Sequence, residues 1–171
     1  MTINSDIFIP ARLDSKRLSK KHLRKINNIP IIIHLINRLK LAKKIRNIIV
    51  CTTNSKSDDP FIEILQKENI MFFRGSENDI LQRMLDAAKK FETDIIIDVE
   101  GDDFYTDPTY VDKIAYEMEN SELDFIAGNS STKTFDNKRG FPHGLIPAGI
   151  RKNALEKICE LKKTDNTETG Y

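Results

Sequence analysis

Short, continuous apolar runs alternate with segments of helical periodicity along this chain, and that alternation restricts its fold more than any other feature. Ile7–Pro10, Asn47–Thr53, Ile70–Phe73, Asp94–Val99 and Asp124–Ala127 read as strands. Ile48-Ile49-Val50 and Ile95-Ile96-Ile97 have no polar residue at alternate positions, as expected of strands covered on both faces. The intervening segments read as helices. From Pro30 to Lys44, a proline suited to the first turn precedes Ile32, Leu35, Ile36, Leu39 and Ala42 on one face. Asp59-Pro60 and Asp107-Pro108 each read as a cap followed by proline. Phe61, Ile64 and Leu65 follow the first pair, and Val111, Ile114, Ala115 and Met118 the second. Ile80–Phe91 turns Leu81, Met84, Leu85 and Ala88 inward, and Lys152 to Lys163 forms a last helix. The order β-α-β-α-β-α-β-α predicts an α/β fold in three layers, a mostly parallel sheet with helices on both faces.

The chain has 171 residues, of which 39% are hydrophobic and 31% charged, enough for a single domain over 1–171 with its own core. A net charge of +1 argues against nucleic acid or an anionic membrane surface as partner. No apolar run reaches the roughly 20 residues that cross a bilayer, and Met1–Asp6 lacks the pattern of a signal peptide. Cys51 and Cys159 lie far apart in apolar contexts and read as buried free thiols in a reducing, cytoplasmic setting. The polar tail Thr164–Tyr171 ends without a closing element, so the natural chain is expected to continue past it.

Ligands of parallel sheets bind beyond the carboxyl ends of the strands, which groups the loops Ala11–Lys21, Thr53–Asp58 and Glu100–Asp107 on one edge. The first loop carries Arg12, Lys16, Arg17, Lys20 and Lys21, almost no acid and no glycine. Arginine forks onto phosphate oxygens and lysine is a mobile point charge, so a cationic turn after the first strand is a place for a polyphosphate. The third loop, Glu100-Gly101-Asp102-Asp103, follows Asp94–Val99, the strongest of the expected strands. Magnesium takes hard oxygen ligands, of which one or two are protein carboxylates beside substrate phosphates. Asp102, then Asp103, are the metal candidates, with Gly101 allowing close backbone approach. Asp107 reads as a helix cap.

Phe73-Arg74-Gly75-Ser76 to Asp79 and Arg83 also follows a strand and opens a helix. Arg74 could stack on or hydrogen-bond a base. Asp79 and Arg83 share a helix face, and Ser76 and Asp79 could equally be caps. His143, in Phe141-Pro142-His143-Gly144, is a candidate substrate contact. His22 and His34 read as surface or core histidines. No histidine–cysteine spacing suggests zinc, and no glycine loop of the mononucleotide or dinucleotide type occurs.

Together these segments resemble the cytidylyltransferases that activate acidic sugars. The nearest likeness is to the spore-coat-polysaccharide branch, related to the 3-deoxy-manno-octulosonate and acylneuraminate enzymes. Pro10-Ala11-Arg12-Leu13-Asp14-Ser15-Lys16-Arg17-Leu18-Ser19-Lys20-Lys21 matches the opening loop of that family. Asn28-Ile29-Pro30, Ile48–Thr53, Phe73–Ser76 with Asp79, Leu81 and Arg83, and Gly101-Asp102-Asp103 up to Asp107-Pro108 follow in order. The likeness spans about residues 6 to 162. It departs at Ser19-Lys20, where the family usually has Pro-Gly, and at Phe104, where a proline is usual. Acids usual after the Pro-x-Gly of this branch are absent from Ile146–Gly149.

The resemblance implies a Rossmann-like sandwich of the nucleotide-diphospho-sugar transferase type. It implies Mg²⁺-dependent transfer of CMP from CTP to an acidic sugar or related acceptor, releasing pyrophosphate, for surface polysaccharide synthesis. Arg12, Ser15, Arg17 and Lys21 would hold the triphosphate, and Arg12, Arg17 and Lys21 would do the catalytic work. Pro10 and Ala11, with Arg74, would read the cytosine and ribose; Thr53, Gly75, Asp79 and Arg83 would complete the nucleotide site. Asp102 and Asp103 would hold the metal, and His143 would touch the acceptor. A homodimer fits the family's habit. A nucleotidyltransferase acting on a phosphorylated alcohol or phosphonate, and a non-catalytic nucleotide-binding module, are the competing readings.

Overall fold

A computed structural model describes residues 3–15, 18–127 and 144–167. Its strands are β1 (Ser5–Pro10), β2 (Lys25–Ile26), β3 (Ile29–Pro30), β4 (Asn47–Thr53), β5 (Met71–Gly75), β6 (Ile95–Asp98), β7 (Phe125–Ile126) and β8 (Ala148–Arg151). Its helices are α1 (Ile31–Leu39), α2 (Asp59–Lys67), α3 (Ile80–Phe91), α4 (Pro108–Glu119) and α5 (Lys152–Leu161).

Every residue of β1 is buried because it lies at the centre of the main sheet, whose order is β5-β4-β1-β6-β8-β7. β1 runs parallel to β4, with Ile9 opposite Val50, and parallel to β6, with Ile7 opposite Ile97. β5 extends the parallel set beyond β4, while β8 runs antiparallel to β6 and pairs with the short edge strand β7. The expected mostly parallel sheet is therefore present.

Side chains of a strand alternate between faces, so each uninterrupted apolar run feeds two cores. Ile7, Ile9, Val50, Ile95 and Ile97 pack with the apolar stripes of α1, α2 and α4. Phe8, Ile49, Cys51 and Ile96 pack on the other face with α3 and Leu155 of α5. These are the three layers that the sequence pattern predicts.

Several boundaries differ from expectation, each for a local reason. The first helix stops at Leu39 rather than Lys44, because Asp112 of α4 accepts hydrogen bonds from the backbone of Lys43 and Lys44 at 2.8 and 2.9 Å. Asp59 lies inside α2 rather than capping it, and the residue before it, Asp58, turns its carboxylate away from the helix. The hairpin β2–β3 was not expected; Asn27 and Asn28, at φ 50° and 64°, form its two-residue turn. Strand β8 was not expected either. Gly149 sits there because a Cβ would lie 2.6 Å from Ile114 Cγ2. Asp79 and Asp107 do cap α3 and α4, accepting from the backbone of Gln82 and Thr109. Cys51 and Cys159 are free, the first buried and the second only half-buried.

Candidate active site

Because β4, β1 and β6 are parallel, the loops that leave them emerge on one edge, as expected. Backbone bonds stitch the strand ends together. The Ala11 N–H donates to the Cys51 carbonyl at 3.2 Å, and the Gly101 N–H donates to the Pro10 carbonyl at 3.3 Å. The backbone of Pro10 and Ala11 thus forms the floor between the first and third loops.

Across that floor the Lys21 ammonium meets the Asp102 carboxylate at 2.7 Å. Burial alone would raise the Asp102 carboxyl; the hydrogen bond and charge of Lys21 more than offset it, so Asp102 titrates below the usual carboxylate range. Its side chain remains 53% exposed, which keeps an anionic oxygen within reach of a ligand. The basic loop and the acidic strand end therefore converge, as the sequence pattern required.

His22 joins the same two loops from beneath. Its ring is buried, stacks on Phe61, and places Nδ1 3.1 Å from the Gly101 carbonyl. Burial, then the neighbouring Lys21 charge, push its pKa down to about 4. The ring is neutral near pH 7, and a carbonyl can only accept, so Nδ1 carries the hydrogen. A Cβ on Gly101 would lie 2.7 Å from His22 Cε1 and 3.0 Å from Ala11 Cβ. The missing side chain of Gly101 thus makes room for this protein packing.

The basic loop is pinned at Leu13. Its N–H donates to Asp58 Oδ1 at 2.8 Å, while its carbonyl accepts from the backbone of Ser15 and Lys20 at 2.9 and 3.0 Å. Lys20 holds φ at 54°, the left-handed conformation, in the place where the resembled family usually has glycine. Ser15 accepts from the Leu18 N–H, and Arg12 is half-buried at the loop entry. Arg17 and His143 lie outside the described residues.

The remaining candidates face the protein. Thr53 is buried, with its N–H and hydroxyl both on Asp58. Arg74 donates to the carbonyls of Thr53 and Ser55 at 2.9 and 2.7 Å and to Asp59 at 2.8 Å. Its guanidinium ties β5 to the loop after β4. Arg83 is buried and donates to the Ser76 carbonyl at 3.0 Å, and its Cγ would lie 3.0 Å from a Cβ on Gly75. Asp79 accepts from Lys162 and Thr167 as well as from the Gln82 amide. Burial would raise its carboxyl, but these donors hold it below the usual range. Asp103 supports the turn to α4: its carbonyl accepts from the Thr106 hydroxyl, and its side chain lies against Gly144.

The structure thus gathers Pro10, Ala11, Lys21 and Asp102, while Thr53, Gly75, Asp79 and Arg83 are buried and the half-buried Arg74 bonds to the loop after β4. Sequence reasoning missed Asp58 and His22. The sequence shows only an Asp58-Asp59 pair before a proline and a histidine directly after Lys21, neither of which points to these contacts.

Comparison with known proteins gives a consistent result. A family model described as cytidylyltransferase matches residues 7–141. An uncharacterized protein of Methanocaldococcus jannaschii is 36% identical over 120 residues, covering 70% of this chain and 49% of that protein. A 3-deoxy-manno-octulosonate cytidylyltransferase of Chlorobium phaeobacteroides is 33% identical over 112 residues, covering 64% of this chain and 43% of that protein. The chain spans about half the length of these curated relatives. Among solved structures, a cytidylyltransferase of Leptospira borgpetersenii superposes with a TM-score of 0.85 at 30% identity, covering 96% of this chain and 67% of that one.

Proposed function

The chain belongs to the cytidylyltransferase family, and on that premise we propose that it transfers CMP from CTP to an acidic sugar or related acceptor, with release of pyrophosphate. Relatives named for 3-deoxy-manno-octulosonate transfer and for spore coat polysaccharide biosynthesis support this acceptor class and a role in surface glycan assembly. The observation that carries the reading is the Lys21–Asp102 pair, a cation that would suit phosphate beside an anion that would suit a metal, at the sheet edge.

An acceptor oxygen would attack the α-phosphorus of CTP while the bond to the bridging oxygen breaks. Pyrophosphate leaves with that electron pair. Such a transfer needs alignment and charge neutralisation more than a protein nucleophile. Arg12, Arg17 and Lys21 would hold the triphosphate oxygens, with the Ser15 hydroxyl adding a donor. Pro10 and Ala11 would offer their backbone to the nucleotide, and Thr53, Arg74, Gly75, Asp79 and Arg83 would complete its site. His143 would contact the acceptor.

Asp102 suits magnesium: it is an ionised, half-exposed carboxylate beside a place for phosphates, and magnesium commonly takes one or two protein carboxylates there. Asp103, adjacent in the same turn, would be the second. When bound, magnesium would neutralise charge on the transferring phosphate.

Pyrophosphate release, measured with each of four nucleoside triphosphates, Mg²⁺ and a panel of acidic sugars, tests the reading. Turnover is expected with CTP alone, and Asp102→Asn should lower it by about a hundredfold or more. Turnover without preference for CTP, or indifference to Asp102→Asn, would overturn it. CTP binding without release with any acceptor would mark a nucleotide-binding module, and release only with phosphorylated alcohols or phosphonates the other transferase reading.

A further inference from the structure

We propose that Asp58 is a positioning residue for the basic loop, imposing from outside the backbone path that this glycine-free segment cannot adopt freely. The proposal rests on the cytidylyltransferase reading for its ligand, but not for its geometry. Asp58 is fully buried, at 0% exposure, in the loop that follows β4. One carboxylate oxygen accepts from the Leu13 N–H at 2.8 Å. The other accepts from the Thr52 hydroxyl at 2.8 Å, the Thr53 N–H at 3.1 Å and the Thr53 hydroxyl at 2.5 Å. A single side chain therefore binds the start of the basic loop to the end of the neighbouring strand.

Leu13 is the right place for such a hold. Its carbonyl receives the amides of both Ser15 and Lys20, so two points of the basic loop are tied to this one residue. Lys20 then sits in the left-handed region, which a lysine occupies only when surrounding bonds hold it there. Displacing Leu13 releases the Lys20 amide, and Lys21, the next residue, loses its aim at Asp102. Asp58 touches neither nucleotide nor metal; it acts through Leu13.

Asparagine cannot replace it. Two backbone amides, of Leu13 and Thr53, each need an acceptor, and the carboxylate supplies two oxygens where an amide side chain supplies one. Losing a charge-assisted, buried hydrogen bond is worth about tenfold or more in an equilibrium.

The test uses the full chain and two readouts, loop exchange and CTP binding, with steady-state pyrophosphate release beside them to give KM and kcat. Amide exchange at Leu13 and Lys20, followed by NMR, reports the loop itself; calorimetry with CTP and Mg²⁺ reports its use. Asp58→Asn should speed exchange at both amides about tenfold and weaken CTP about tenfold, with KM rising more than kcat falls. Thr52→Val, which removes a donor to the same carboxylate but leaves the tie to Leu13, should lower the melting temperature while sparing both readouts. Should Asp58→Asn not fold, Asp58→Glu keeps the charge and displaces it, with the same expectation. Unchanged exchange and affinity in the Asp58 variant would overturn the proposal. So would equal losses of affinity in Thr52→Val, since affinity would then follow stability alone. If the wild type binds no CTP, the cytidylyltransferase reading fails, and the exchange rates alone decide the role of Asp58.

Discussion

At Lys20 the backbone adopts φ 54°, a conformation that costs an L-residue about 1–2 kcal/mol and glycine little. Glycine in turn has more freedom to lose on folding, by about 0.5–1 kcal/mol. Lys20→Gly should therefore stabilise the protein slightly, whereas Lys40→Gly, at an ordinary helical φ of −60°, should destabilise it. Paired urea titrations check the opposite signs. His22 makes a second residue-level prediction. Its folded pKa of about 4 lies below the ordinary 6.5, so between these values the unfolded chain binds the extra proton. Stability should fall as pH drops from about 6.5 to about 4, and His22→Gln should flatten that slope. Denaturation midpoints across this range decide it. The convergence of Lys21 and Asp102 was legible because loops that leave parallel strands emerge on one edge of the sheet. It could not reveal Asp58, whose partner amide is 45 residues away. Nor could it show that Arg74 spends its donors on Thr53, Ser55 and Asp59.

Helices with caps and wide apolar stripes were readable to within a residue or two, and α3 matched its expected span of Ile80–Phe91. Elements fixed by distant partners were not. The first helix is cut short by Asp112, and β8 is four residues containing a glycine, too brief and mixed to stand out from the sequence around it. That glycine is set by contact with α4. Gly149→Ala would push a methyl group against Ile114 and Met118, both on a buried helix face. Overpacking of this kind costs about 1–3 kcal/mol. A matching drop in the denaturation midpoint, with unchanged far-UV circular dichroism, is the expected result.

Over the whole molecule, the edge opposite the candidate site is closed by one buried anion. Asp6 accepts from Arg46 at 3.1 and 2.6 Å and from the Thr93 hydroxyl at 2.5 Å. It thereby joins β1 to the segments that lead into β4 and β6. The pair with Asp6 raises the Arg46 pKa, so the arginine stays charged at any working pH. Asp6 is fully buried but Arg46 is 36% exposed, so Asp6→Ala leaves the arginine solvated and orphans chiefly the buried Thr93 hydroxyl, and should cost about 1–3 kcal/mol. CTP affinity of the folded fraction should not change, because the tie lies at the far end of the strands. Calorimetry at low temperature, beside chemical denaturation, separates the two effects.

The sheet order also dictates a timetable for synthesis. The strands β1, β4, β5 and β6 are complete by Asp98, yet the neighbour of β6 on its outer side, β8, begins only at Ala148. A nascent chain thus presents Ile95-Ile96-Ile97 with an open row of backbone donors and acceptors until about fifty more residues have emerged. Chains ending near Glu122 should aggregate through that exposed edge, whereas chains that extend through Leu161 and so contain β8 should not, as light scattering would show.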